Sequence, residues 1–483
     1  MTERNIYFYR ISFIFIVVFF VSAVICSGAL AAEGDIPAGL EFKENGSLVY
    51  VGTGFIRGED IWVPADAMRR MGVPLRDGPN GKGFMLDIQN PADLFGIPEI
   101  AILAGNVLPL YFPSLSEQGI SYFNVSGMEM VTDIYNEEKN GEIIFYRNPK
   151  TDGGFQNKSI KMTNELKGKL MLVWTYITRD NPCLEKEQKI EGLDVLLPTW
   201  FNLTDGNGSM ANRASSSYVG AAHRKGYSVW PLLSNSFSKQ ITTQFFKDTK
   251  AVNIFIARIL AYSRLYNLDG INIDFENVDV NDRAAYVRFM SILCPYLSAY
   301  GLKSSVDVHV PGNSGLSRSH DRPGLSKYVD YVMLMAYDEH WRTAPKAGSV
   351  ASMPWVEKAV QNTIAEGVPP QKLILGVPFY MRKWEETPDN GKVKIRSYTL
   401  SMPESDKIIH SKALQPMWFQ DIGQHFYSYI ENGKTYKVWV EDEDSMAKKL
   451  QLVSKYRLAG AAAWRKGHEK NEIWQVMKNA LSK

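Results

Sequence analysis

A chain of 483 residues exceeds what one hydrophobic core usually organises, and about 100–200 residues per domain is the general expectation, so two folded units behind a leader are predicted. Lys and Arg number 54 against 52 Asp and Glu, a formal charge of +2, and that balance advertises no nucleic acid or other polyanionic partner. With 45% hydrophobic and 12% aromatic residues the composition is that of a globular chain. Its 11 Trp and 24 Tyr suit a carbohydrate groove, because sugar C–H faces stack on flat rings, although core packing accounts for most of them.

Residues 1–32 read as an export signal. Arg4 and Arg10 flank a short polar start, Ile11 to Ile25 is continuously apolar or small, and Ala29-Leu30-Ala31 offers a small-x-small cleavage site. The mature chain then begins near Ala32 or Glu33, secreted or held in the cell envelope with no membrane span left; an uncleaved anchor, lengthened by Tyr7 to Tyr9, is the alternative. Ile25 before Cys26 argues against a lipidated cysteine. Cys183 and Cys294, far apart, are as readily two free thiols as one bridge.

From 37 to 155 short strand-like runs such as Ser47–Val51, Phe84–Ile88 and Glu142–Arg147 are broken by Gly and Pro, which predicts a small, mostly β accessory unit. Within it, Ile61-Trp62-Val63-Pro64 enters a short helix that stops at Gly72. That stretch resembles the copper amine oxidase N-terminal-like domain of bacterial envelope proteins. No His or Cys cluster accompanies it, so no copper site is carried over, and a spacer or wall-binding role stands beside plain structural packing.

From 165 to 480 apolar runs alternate with helical stretches, the rhythm of parallel strands joined by crossover helices. The runs are Lys169–Ile177, Val195–Leu203, Tyr227–Leu233, Gly270–Glu276, Leu302–Val310, Tyr328–Asp338, Lys372–Tyr380 and Leu458–Trp464. Eight units match an α/β fold, a (β/α)8 TIM barrel, with an insertion after the seventh strand between Met381 and Trp439 and a helix over Asp442–Tyr456.

The most informative segment is Asp269-Gly270-Ile271-Asn272-Ile273-Asp274-Phe275-Glu276. In a strand Ile271, Ile273 and Phe275 face the covering helices, while Asn272, Asp274 and Glu276 face the barrel interior. An unpaired buried carboxylate costs several kcal/mol or neutralises, and active sites of this fold lie at the strands' C-terminal edge, so two carboxylates ending there point to chemistry. An interior salt-bridge layer and a divalent-metal site are the alternatives. The seven His residues, including His223, His309, His320 and His340, form no ligand spacing, so no metal or other cofactor is expected; for these His, solvated surface or ordinary hydrogen bonding is the reading.

Residues 269–276 resemble the signature strand of the family 18 glycoside hydrolases, the chitinases and related N-acetylglucosaminidases. Met335-Ala336-Tyr337-Asp338, Pro378-Phe379-Tyr380 and Trp464 fit the ends of the sixth, seventh and eighth strands of that family. Asn272, the run Tyr337-Asp338-Glu339-His340-Trp341 and Gly376–Trp384 are most like the spore-cortex-lytic and cell-wall N-acetylglucosaminidases. Two departures are Asn272 in place of the first inner Asp, and Leu233-Ser234-Asn235 without the usual Ser-x-Gly-Gly.

The resemblance implies substrate-assisted retaining hydrolysis of β-1,4 linkages next to N-acetylglucosamine in peptidoglycan or chitin. It makes Glu276 the proton donor, Asp274 the group that holds the acetamido N–H and Tyr337 the donor to the acetamido carbonyl. Asp338 then binds substrate, Trp464 floors the scissile sugar, and Asn272, beneath Asp274, counts among the substrate-binding residues; Tyr380 and Trp384 are groove walls, with core packing the competing reading for these two and local packing or a barrel hydrogen bond the competing reading for Tyr337, Asp338 and Trp464. With Asn272 below it, Asp274 is expected to ionise free of like-charge repulsion and to receive the amide's hydrogen bond. A catalytically weak or inactive sugar-binding protein of the envelope is the alternative function, against which the retained Glu276 speaks.

Overall fold

The computed structural model describes residue 166, residues 168–482 apart from 390–391, and parts of 36–147. The export signal expected over residues 1–32 lies outside the described residues, and no described helix is long and apolar enough to cross a membrane. The described N-terminal part is mostly β. Its largest sheet has seven strands, in the order Ser114–Glu117, Ile120–Asn124, Asp60–Pro64, Ser47–Arg57, Ile36–Glu44, Glu142–Arg147 and Ile134–Lys139. The short helix Ala65–Arg70 follows as the sequence suggests, with Pro64 as its N-cap and Gly72, at φ 75°, just past its end.

The larger unit is a closed barrel of eight parallel strands. They are β1 (Leu170–Thr175), β2 (Val195–Leu203), β3 (Leu232–Ser234), β4 (Gly270–Asp274), β5 (Lys303–His309), β6 (Tyr331–Met335), β7 (Leu373–Pro378) and β8 (Gly460–Trp464). Each pairs with the next, and β1 closes the ring through Leu172 beside Val195 of β2 and Leu170 beside Gly460 of β8. The third run divides into Ser228–Val229 and β3 because Pro231 has no N–H for the ladder.

Alternation along each strand separates two apolar layers. Leu170, Leu172, Trp174, Leu232, Met333, Ile374 and Ala462 form the interior cluster, whereas Met171, Val173, Ile271, Ile273, Phe275, Val306 and Val308 belong to the shell beneath the helices. The lower end of the barrel is filled by Trp230, stacked on Tyr331 at 5.8 Å and 19°. Gly270 makes room for it, since a Cβ there would lie 2.7 Å from the indole and 2.6 Å from the Lys303 carbonyl oxygen. The polar groups of β4 therefore sit above an apolar plug, toward the C-terminal mouth.

The insertion after β7 is a five-stranded antiparallel sheet, ordered Lys392–Ser401, Tyr380–Asp389, Lys434–Val440, Gln424–Glu431 and Met417–Phe419, with the helix Met402–Ser411 at its side. A buried polar chain roots it. Lys449, in the helix Glu443–Lys455, donates to Glu441 at 2.9 and 3.1 Å, Gln424 donates to Glu441 at 2.8 Å, and Ser349 donates to Gln424. Both ends of the Lys449–Glu441 ion pair are fully buried, so loss of either would strand a charge in the core.

Candidate active site

Two neighbouring strands build the centre of the mouth. The β4–β5 ladder pairs Asn272 with Ser305 and Ile273 with Val306. In a parallel pair, residues in register point to the same face, so Asn272 and Asp274 meet Ser305 and Asp307, and one step higher Glu276 meets His309. Asn272, Asp274 and Asp307 are buried, while the Glu276 side chain is 29% exposed and reaches the opening.

The Asn272 amide is oriented by its partners. An indole N–H only donates, so the Trp174 Nε1 contact at 2.9 Å fixes the Asn272 carbonyl oxygen toward β1. Its NH2 group then donates to Ser305 Oγ at 3.0 Å and to Asp307 Oδ1 at 2.7 Å. The expectation for this position is overturned on both counts. Asn272 spends its protons on β5 and not on Asp274, and Asp274 does meet a like charge, because Asp307 supplies a second inner carboxylate from the next strand. Burial first, then Glu276 and Asp307, hold the Asp274 pKa well above the usual carboxylate range. Burial first and Glu276 next likewise raise that of Asp307, against the lowering bond from Asn272. Asp274 Oδ1 is buried with no hydrogen-bond partner among the described residues. Asn272, fully enclosed, lines no surface that a sugar could touch.

Glu276 is held by its backbone. Asn235, at the end of β3, accepts the Glu276 N–H at 3.1 Å and donates to the Glu276 carbonyl at 2.8 Å, and a further bond to Thr242 Oγ1 at 2.8 Å fixes its own side chain. Thus the position where the third strand departs from the family pattern is the clamp of the residue that ends the fourth. On the other side His309 Nε2 lies 3.1 Å from Glu276 Oε2, near enough for an ion pair when the ring is protonated but not aligned for a hydrogen bond. The His309 ring stacks on His320 at 5.3 Å. His320 Nδ1 accepts the His309 backbone N–H at 3.1 Å, so its Nε2 carries the proton and donates to the Phe275 carbonyl at 3.1 Å. Burial, with His309 second, pushes the His320 pKa down to about 3, so that ring is neutral across ordinary pH.

The rim comes from the ends of β6, β7 and β8. Tyr337 is half-buried; burial first, then Asp307, Tyr380, Asp274 and Glu276, keep its phenol protonated and able to donate. Asp338, exposed and at φ 60°, accepts from Tyr380 Oη at 2.7 Å and from Arg382 Nη2 at 2.8 Å. Trp464 is partly exposed and packs against Trp174 at 6.1 Å and the exposed Tyr176 at 6.4 Å. Tyr380 shares one strand face with Arg382 and Trp384 and is itself buried, edge-on to Tyr337 at 6.3 Å. For Trp384 the groove-wall reading fails and the competing core reading holds. It is fully buried and donates to the Gly348 carbonyl at 2.8 Å, because the two-residue period that turns Tyr380 toward the barrel turns Trp384 inward as well; it is core, not groove wall.

Glu276, Asp274 and Tyr337 thus converge with Asp338 and Trp464 on one edge. Asp307, His309, His320, Asn235 and Arg382 belong to the same edge and were not singled out as site residues from the sequence. The available signal was the alternation Ser305-Val306-Asp307-Val308-His309, which repeats on β5 the polar inner face of β4. No group of His, Cys, Asp and Glu able to hold a metal ion occurs among the described residues, and Cys183 and Cys294 are unpaired, one exposed and one buried.

The chain is 27% identical over 285 residues to the uncharacterized glycosylase YvbX of Bacillus subtilis, covering 56% of this chain and 80% of that protein. It is 27% identical over 250 residues to the cortical fragment-lytic enzyme of Bacillus anthracis, of which it spans 56%, or 50% of this chain. The fold is shared with a chitinase from Chromobacterium violaceum at a TM-score of 0.59 and 22% identity, over 65% of this chain and 99% of the other. The family model described as glycosyl hydrolases family 18 matches residues 174–468, from the top of β1 to just past β8 and so across nearly the whole barrel, and the chain belongs to that family as a glycoside hydrolase.

Proposed function

We propose that the protein is an exported enzyme that cuts β-1,4 linkages next to N-acetylglucosamine in the glycan strands of bacterial peptidoglycan, by substrate-assisted retaining hydrolysis. The observation that carries the reading is the division of labour on one strand face: Glu276 reaches the opening, and two residues below it Asp274 keeps a buried oxygen with no hydrogen-bond partner among the described residues. A carboxylate oxygen kept for one N–H from a substrate has this form.

In the reaction the Glu276 carboxyl protonates the glycosidic oxygen as the C–O bond breaks, and the acetamido oxygen of the sugar attacks the anomeric carbon. Asp274 accepts the acetamido N–H and balances the positive oxazolinium ion, while Tyr337 donates to the acetamido oxygen. Water then opens the ring and gives its proton to the Glu276 carboxylate, restoring the acid. Trp464, backed by Trp174, floors the distorted sugar. Asp338, pinned by Tyr380 and Arg382, faces the same sugar from β6.

Peptidoglycan is favoured over chitin by the export-type leader and by the likeness to a cortical fragment-lytic enzyme. The N-terminal β unit is read as an envelope-facing accessory. Purified protein incubated with peptidoglycan and with chitooligosaccharides tests this: soluble reducing fragments from wall material are expected, with competitive inhibition by a thiazoline analogue of the oxazolinium ion. Release from chitin alone sinks the substrate assignment, and indifference to the thiazoline sinks the mechanism.

A further inference from the structure

The Asp307 carboxyl has no duty in the reaction as just described, yet it is buried 2% exposed beneath it. We propose that Asp307 is a positioning residue that shares one proton with Asp274 across the β4–β5 boundary, so that the pair carries a single negative charge until the oxazolinium forms, when Asp274 takes the charge and Asp307 keeps the proton. The inference rests on the substrate-assisted reading above.

Three observations carry it. The register that joins Ile273 to Val306 sets Asp274 beside Asp307 on the inner face, one residue further on. Asn272 donates to Asp307 Oδ1 at 2.7 Å and is locked in that orientation by the Trp174 indole, so this oxygen is an acceptor and any proton of the pair lies on the remaining oxygens. Asp274 Oδ1 has no partner among the described residues, and two adjacent buried carboxylates cannot both ionise cheaply. The titratable groups facing Asp307 are Asp274 and Glu276 from β4, Tyr337 beyond β6, Tyr286 from the helix Arg283–Ala299 and His309 on its own strand. The raised pKa values of Asp274 and Asp307 agree with one retained proton.

The polar pattern also predicts its own reversal. Exchanging amide and acid between positions 272 and 307 reverses the bond between them: the Trp174 N–H, still the donor, then meets a carboxylate oxygen at 272, the Ser305 hydroxyl turns to donate to it, and the new amide at 307 donates back to the same carboxylate.

Infrared difference spectroscopy of protein labelled with carbon-13 aspartate reads the proton directly. Wild type is expected to show a buried carboxylic-acid band at neutral pH that bleaches as the pair loses its last proton. In Asp307→Asn the repulsion that delays that loss is gone, so the band bleaches about one pH unit or more lower, and kcat/KM falls about tenfold or more. The double variant Asn272→Asp with Asp307→Asn is expected to move both back toward wild type. No band in wild type, bleaching at the same pH in Asp307→Asn, an unchanged kcat/KM, or a double variant no better than the single would each overturn the proposal. The band follows the proton, whereas thiazoline competition follows the oxazolinium chemistry, so either idea can fail without the other.

Discussion

Just beyond each end of strand β4 an acid stands beside a histidine, and the two pairs are built to opposite specifications. Below, Asp269 is buried, and its Oδ2 accepts both the Val229 N–H at 2.7 Å and the His223 ring at 2.8 Å. Above, Glu276 is partly exposed, its side chain meets His309 without hydrogen-bond alignment, and the firm bonds go to its backbone through Asn235. The lower pair spends side-chain contacts to fix the strand in place. The upper one fixes the main chain and leaves the carboxyl without an aligned hydrogen bond, as the proposed proton donor requires, so the residues flanking one strand serve as foundation at one end and proposed working edge at the other.

The comparison breaks most sharply at Glu276. Glu276→Gln keeps shape and polarity but removes the transferable proton, so kcat is expected to fall about 10²–10⁴-fold with little change in thermal midpoint. Turnover close to wild type would show that another group donates. Asn235→Ala removes the clamp without touching the carboxyl. A fall in kcat of about 10–100-fold is expected from misplacement of the acid, with a smaller change in KM. If KM alone rises, Asn235 shapes the groove and does not aim the acid.

The smallest effect belongs to the foundation. The hydrogen bond that His223 donates to Asp269, the larger influence, raises the His223 pKa above 6.5 against the lowering effect of burial. A raised histidine contributes stability that is fully present below the unfolded value and fades as pH rises through the folded one. His223→Ala should therefore lose about 1 kcal/mol of stability in mildly acidic solution and less at alkaline pH, with kcat per folded molecule unchanged. Chemical denaturation at several pH values reads this, and a loss that grew with pH would reverse the assignment.

Much of this arrangement could be read along the chain because a strand's two-residue period decides which side chains enter a barrel. All eight strands were located, and the alternation Asn272, Asp274, Glu276 placed the polar face correctly. What lies across the ladder was not legible. Asp307 stands 33 residues after Asp274, and only the register makes them neighbours; nothing local to Ser305–His309 announces which strand it will meet. Asn235 looked like a mere departure because its service is to a backbone 41 residues on. Trp384 stayed open between groove wall and core for a related reason, since parity within the insertion strand depends on which face of that sheet meets the barrel, a tertiary fact.

Asp338 receives two hydrogen bonds from the first strand of the insertion, and the far end of the insertion is rooted by Lys449 and Glu441 in the helix that leads to β8. The insertion is accordingly no detachable ornament. A lineage or an engineer exchanging it for another would also be exchanging the hands that grip the sixth strand's aspartate, so sheet and catalytic edge must travel together as one heritable module.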